Sequence, residues 1–236
     1  MSPAGEQSRD WVVAPPPRPA VPVAGEARRF PVRRIWCVGQ NYRAHAEEMG
    51  DSGREPPFFF AKPADAICLD PVVPYPPMTG NLHHEVELVV ALGQGGRNLA
   101  ADTALEHVYG YTVGVDLTRR DLQAAAKSAG RPWTTSKGFD CSAPLAPLRP
   151  VAACGHPTDA ALRLSVNGEL RQQGSTADMT WSVAEVIAEL SRFFELRPGD
   201  LLFTGTPPGV GPLDPGDAVN CEIEGIARLE FRMGVA

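Results

Sequence analysis

The sequence predicts an α+β domain in which short strands dominate and helices are few. Three observations carry this. The C-terminal half alternates proline-glycine turn signals with β-like runs. Two segments are framed as helices by start and stop signals. No long repeat and no unbroken apolar run of about 18 residues organises the chain in any other way.

In chain order, A-P-P-P-R-P-A-V-P (14–22) lacks backbone donors at its prolines and favours extended, polyproline-like backbone. Residues 1–30 are therefore expected to form an N-terminal arm, and 31–236 a single globular domain. N-L-H-H-E-V-E-L-V-V-A-L-G (81–93) reads as one strand, Val- and Leu-rich and closed by glycine. Tyr111, Val113 and Val115 mark a second strand, and its other face carries Thr112, Gly114 and Asp116. The segment 118–129 begins T-x-x-D and meets Gly130 and Pro132, which predicts a helix. Asn167-Gly168 is a strong hairpin signal. Ser182 and Glu185 form a capping box for a helix whose apolar face is Val183, Ile187, Leu190 and Phe194. R-P-G-D (197–200) and D-P-G-D (214–217) then each introduce a strand.

The chain has 236 residues and a net charge of -6 without a basic stripe, so neither nucleic acid nor an anionic membrane is expected as a partner. Its five cysteines are scattered and never spaced C-x-x-C. That argues against a disulfide framework or a zinc site and fits a cytoplasmic location. The glycine-rich pieces G-Q-G-G and G-T-P-P-G-V-G lack the Lys-Ser/Thr ending of a phosphate loop.

The informative feature is E-V-E. On one strand, Glu85 and Glu87 point the same way with Val89, while Val86, Leu88 and Val90 take the opposite face. Two carboxylates roughly 6 to 7 Å apart repel by on the order of 2 kcal/mol at an effective dielectric of ~20. Either a solvent-facing edge or a hard divalent cation with oxygen ligands would relieve this. Asp116 is a third carboxylate, which could cap the following helix or join the pair as a ligand. His45 and Glu48 are spaced to share a helix face, as a surface pair or as a base with its orienting carboxylate. Lys137 is a lone lysine in P-W-T-T-S-K-G-F, and taken alone it reads as a solvated side chain.

The ordered set G-Q-N-Y-x-x-H-x-x-E, F-A-K-P, H-H-E-V-E-L, D-L-T-R-R-D-L-Q, S-K-G-F, V-N-G-E-L-R-Q and T-G-T-P-P-G-V-G resembles the fumarylacetoacetate hydrolase family over residues 31–236. Within it the chain is most similar to the short acylpyruvase branch, and the proline-rich arm with P-P-F-F-F-A-K-P-A-D-A suggests the fumarylpyruvate hydrolases of gentisate breakdown. The resemblance implies a mixed β-roll or sandwich with peripheral helices, usually a homodimer, and one Mg²⁺ or Mn²⁺ per subunit. By the same resemblance, Glu85, Glu87 and Asp116 become metal ligands. His45 and Glu48 become the water-activating pair on a segment that serves as a lid, and Lys137 the oxyanion-stabilising lysine. Arg120, Gln123 and Thr206 bind the keto-acid end, with His83 and His84 supporting from behind. Gln40 departs from the arginine common in that branch.

The implied reaction is metal-dependent hydrolysis of the carbon-carbon bond of an acylpyruvate, with fumarylpyruvate giving fumarate and pyruvate. Oxaloacetate decarboxylation and ring-fission isomerisation are alternatives on the same site. A metal-dependent keto-acid binding protein is the non-enzymatic one.

Overall fold

The computed structural model describes residues 11–42 and 55–235. Its first elements are the hairpin β1 (Ala20–Pro22) and β2 (Arg29–Pro31), followed by β3 (Arg34–Gly39) and β4 (Phe58–Lys62). Next come β5 (Ile67–Cys68), β6 (Val72–Val73), β7 (Leu82–His84), β8 (Val86–Leu92), β9 (Val108–Val115) and β10 (Thr118–Arg119). Helix α1 (Arg120–Ser128) and the single turn α2 (Thr134–Lys137) precede β11 (Ala143–Pro144), β12 (Arg149–Pro150) and α3 (Val151–Cys154). The hairpin β13 (Ala161–Val166) and β14 (Glu169–Ser175) leads to α4 (Val183–Phe193). The chain closes with β15 (Asp200–Phe203), β16 (Gly211–Leu213), β17 (Ala218–Ile223) and β18 (Ala227–Met233).

The expected α+β class holds. A six-stranded sheet in the order β12-β9-β8-β15-β3-β4 is antiparallel except for the β15–β3 pair. A five-stranded sheet runs β14-β13-β17-β18-β6, and a small third sheet runs β10-β7-β16. Strand β8 is buried on both faces. Val86, Leu88, Val90 and Leu92 pack in the larger core with Leu162 and Leu164 of β13 and with Ile187 and Leu190 of α4. Val89 and Ala91 pack on the opposite side with Ile35, Cys37, Leu145 and Phe203. The alternation predicted from E-V-E-L-V-V is thus real, and truncating Leu88 to Ala should cost roughly 2–5 kcal/mol.

Four boundaries differ from the sequence reading, each because a distant segment intervenes. Residues 20–30, placed with the arm, belong to a hairpin in which Ala20–Pro22 pairs with Arg29–Pro31 and Val21 and Phe30 are buried in the second core, whereas 11–18 are exposed. The strand expected over 81–93 breaks at Glu85, and its two parts join different sheets. At that break the Val86 amide donates to Gln172 Oε1. Helix α1 begins at Arg120, because Thr118 and Arg119 pair with β7 and the Thr118 hydroxyl donates to the Asp116 carbonyl. Phe194 leaves the helix in extended conformation and stacks on Trp36, while Val186 joins the buried face of α4.

The local turn signals behave as read. Asn167 and Gly168 both take positive φ, 53° and 84°, as a type I′ turn requires. Ser182 and Glu185 form the reciprocal capping box of α4. Among the described residues no helix is long and apolar enough to cross a membrane.

Candidate metal centre and substrate cleft

The break at Glu85 and the end of β9 bring three acids together. Glu87 lies opposite Gly114 in the β8–β9 ladder, and the Asp116 amide donates to the Glu85 carbonyl at 2.8 Å. One carboxylate oxygen from each of Glu85, Glu87 and Asp116 falls within 4.8 Å of the others, and all three residues are buried. Asp116 caps no helix. The small residues beside it leave no open space. A Cβ on Gly114 would lie 2.6 Å from Leu145 and 2.8 Å from Val89, and the Thr112 hydroxyl lies 3.0 Å from both the Ala146 and Pro147 carbonyls and shares its one proton between them.

The sequence raised the question of what tolerates paired carboxylates. In the structure it is cations of the chain itself. Lys137, 2% exposed and far from solvated, puts Nζ 2.7 Å from both Glu85 Oε2 and Asp116 Oδ2. Lys62 pairs with Asp116 Oδ1 at 2.8 Å and also donates to the Lys137 carbonyl, which fixes the base of α2. Arg120 holds Glu85 Oε1. Burial would raise the Glu85 pKa, but Lys137 and Arg120 override it and hold the carboxyl well below its ordinary range. Glu87 has no such partner. It accepts the Gly205 amide at 2.7 Å, yet burial, then the charges of Asp116 and Glu85, push its pKa well above the usual value. Lys137 moves up, because Asp116 and Glu85 outweigh its burial. The repulsion expected for both glutamates is therefore concentrated on Glu87.

Around this base, Arg120 is aimed by three partners. Besides Glu85, it donates to Gln123 Oε1 and to His83 Nδ1 at 3.3 Å, and His83 Nε2 in turn donates to Asn81 Oδ1 at 2.8 Å. Burial and then Arg120 push the His83 pKa down to about 4, so the ring is neutral and can accept from the guanidinium. His84 donates from Nδ1 to Gln172 Oε1, while Gln172 Nε2 donates to Thr206 Oγ1 and the Pro207 carbonyl. Thr206 donates to the Val86 carbonyl. Its hydroxyl is thus tied into the scaffold that orients Glu85 and Glu87, although the residue itself lines the cleft.

A cleft above the carboxylates opens toward solvent. Its base is Glu85, Glu87, Asp116 and Lys137, and its outer wall is Phe58, Phe60 and Trp133, with Gln40 and Lys127 also lining it. Gln40 sits in left-handed backbone, φ 55°. The structure thus gathers Glu85, Glu87, Asp116, Lys137, Arg120, Gln123 and Thr206 in one place. His45 and Glu48 lie outside the described residues. The chain leaves and re-enters that region at points tied to Trp181: Asn41 exchanges two hydrogen bonds with its backbone, and its indole donates to the Glu55 carbonyl. Sequence reasoning missed Lys62, Gln172 and the aromatic wall. Lys62 and Gln172 do stand in F-A-K-P and V-N-G-E-L-R-Q, but nothing local in those segments marks a buried charge or a bridging amide.

Comparison with known proteins identifies the class. Residues 34–233 match the fumarylacetoacetate (FAA) hydrolase C-terminal family model, and the chain belongs to that family. Among solved structures, the fumarylpyruvate hydrolase of Pseudomonas aeruginosa in complex with Mn²⁺ and pyruvate is 49% identical, with TM-score 0.93 over 96% of this chain and 100% of that one. A Burkholderia cenocepacia protein provisionally named a fumarylpyruvate hydrolase is 55% identical, with TM-score 0.90 over 95% of each chain. The oxaloacetate tautomerase YcgM of Escherichia coli is 45% identical over 83% of this chain and 90% of its own length.

Proposed function

We propose that this chain hydrolyses the carbon-carbon bond of an acylpyruvate, with fumarylpyruvate as the substrate that suits it best. The observation that carries the reading is the buried carboxylate triad, already balanced by Lys62, Lys137 and Arg120, at the base of an open cleft. Three hard oxygen donors fit Mg²⁺ or Mn²⁺, and Glu87, short of a positive partner, is the acid most relieved by one. A divalent ion held by Glu85, Glu87 and Asp116 would supply positive charge for the keto-acid end and for the enolate charge released on cleavage. Because the set is balanced without it, the loaded site carries an excess of two positive charges and favours a dianion.

Arg120, braced by Glu85, Gln123 and His83, would bind the substrate's 1-carboxylate bidentately. An ammonium has three donors; Lys137 uses two on Glu85 and Asp116 and keeps the third for the oxyanion formed at the acyl carbonyl. His45, oriented by Glu48, takes the proton from the attacking water. The bond between the acyl carbon and the methylene then breaks, leaving fumarate and the enolate of pyruvate, which is protonated to pyruvate.

The 45% identity to an oxaloacetate tautomerase supports a second reading, proton transfer at C3 of oxaloacetate over the same triad. A purified-protein panel of acetylpyruvate, maleylpyruvate, fumarylpyruvate and oxaloacetate, each with Mg²⁺ and Mn²⁺, separates them. Preferred hydrolysis of fumarylpyruvate is expected. Turnover of oxaloacetate alone would leave the second reading.

A further inference from the structure

Lys127 has no part in the chemistry proposed at the carboxylates, yet it lines the same cleft. Arg120, Gln123 and Lys127 stand at i, i+3 and i+7 of α1, so one helix face runs from the base of the cleft to its mouth. Seven residues of helix rise by about 10 Å. At the base end the guanidinium is held by Glu85; at the mouth end the Lys127 ammonium lies 5.9 Å over the Trp133 ring. It pairs with no carboxylate among the described residues.

The wall beside this face is aromatic and apolar. Phe58 and Phe60 meet the Trp133 ring edge-on at 5.4 and 5.6 Å. Phe58 lies directly on the backbone of Gly39, where a Cβ would come within 2.0 Å of its ring, so only glycine lets the wall close against β3. Charge at one end, aromatic surface along the middle and, at the other end, a cation with no acidic partner among the described residues describe a ligand: an apolar chain with a carboxylate at each end.

We infer that Lys127 binds the distal carboxylate of the acyl group and so makes the site selective for long keto diacids. This rests on the acylpyruvate reading above and deepens it. Six carbon-carbon bonds, as in a seven-carbon diacid, extend roughly 7 Å before the carboxylate oxygens are added, which matches the Arg120-to-Lys127 rise. Oxaloacetate has three such bonds, spans about half of that, and ends short of Lys127. An acetyl group has no charge to offer it.

The test uses binding, which does not depend on turnover. With Mn²⁺-loaded protein, calorimetry compares 2-oxoheptanedioate, which lacks the second keto group and is not cleaved, with 2-oxoheptanoate, which lacks only the distal carboxylate. Wild type should prefer the diacid about five- to tenfold, as expected for one partly exposed charge-assisted pair. Lys127→Met keeps the stem over Trp133 and should abolish the preference; Lys127→Arg should restore it. In turnover, Lys127→Met should act on fumarylpyruvate mainly through KM rather than kcat. Equal binding of the two acids by wild type, or a preference that survives Lys127→Met, overturns the inference. A wild type that hydrolyses no acylpyruvate but shows a Lys127-dependent diacid preference would remove the proposed reaction and leave this subsite standing.

Discussion

At the base of the cleft, three buried carboxylates meet Lys62, Lys137 and Arg120, and apart from Glu87 each acid has cations at hydrogen-bonding distance. At the mouth, a few residues farther along α1, Lys127 is exposed, rests over an aromatic ring and has no acidic partner among the described residues. Buried charges that are mutually compensated are costly to disturb, because removing one strands the others. Exposed charge is inexpensive to change and is free to meet a ligand. Substitutions at the base should therefore alter stability and chemistry together, whereas those at the mouth should alter substrate choice alone.

The largest break is Asp116→Asn. It strips a proposed metal ligand and leaves Lys62 and Lys137 short of counter-charge. Metal-dependent stabilisation worth several kcal/mol is lost, so turnover of acylpyruvate and of oxaloacetate should both fall by on the order of 10³-fold or more. Steady-state rates with saturating Mn²⁺ check this. Next is His45→Ala, which removes only the proposed base. Hydrolysis should fall roughly 10²- to 10⁴-fold while any oxaloacetate decarboxylation is largely retained. Hydrolysis at the wild-type rate would dismiss His45 as the base.

Within the base, Glu85 and Glu87 should respond to pH in opposite directions. The Glu85 pKa is depressed, so its stabilising contribution is present above about pH 4.5 and is lost as pH falls through the depressed value. Glu85→Gln should therefore destabilise the metal-free protein at neutral pH, by roughly 3 kcal/mol. The Glu87 pKa is raised, so the opposite sign holds: stability is full below about 4.5 and is lost as pH rises through the raised value. Glu87→Gln should make the metal-free protein more stable than wild type, by an amount that grows from pH 5 to pH 8. Thermal melts in chelator at both pH values decide it, and the same variant should bind Mn²⁺ more weakly. The smallest effect belongs to the mouth. Trp133→Leu removes the ring under Lys127 and the neighbour of Phe58 and Phe60, and should raise KM for fumarylpyruvate only a few-fold, in line with a single aromatic contact.

What the sequence disclosed and what it hid follows the range of the interactions. Period-two alternation put Glu87 with Val89 and apart from Leu88, and β8 obeys it. Asn167-Gly168 and Ser182 with Glu185 act within a few residues, and both stand as read. The break at Glu85 was invisible because it depends on Gln172 from another sheet, which takes the Val86 amide out of the ladder. Thr118 resembled a helix cap, but a two-residue pairing with β7 consumes it. Lys137 looked solitary because Glu85, Asp116 and Lys62 reach it only through the fold. The family resemblance supplied roles for most of the base but gave none for Lys62 or Lys127, whose positions only the packed structure displays.

Glu85, Glu87 and Asp116 are proposed to hold a cation without which acylpyruvate is not hydrolysed. The most direct measurement is the rate of fumarylpyruvate loss, with fumarate and pyruvate quantified, for protein stripped by chelator and then titrated with Mn²⁺. Negligible turnover in the stripped protein, restored in proportion to metal bound at one equivalent per chain and absent in Asp116→Asn, is the predicted result. Full turnover in excess chelator, or equal restoration in Asp116→Asn, would contradict it.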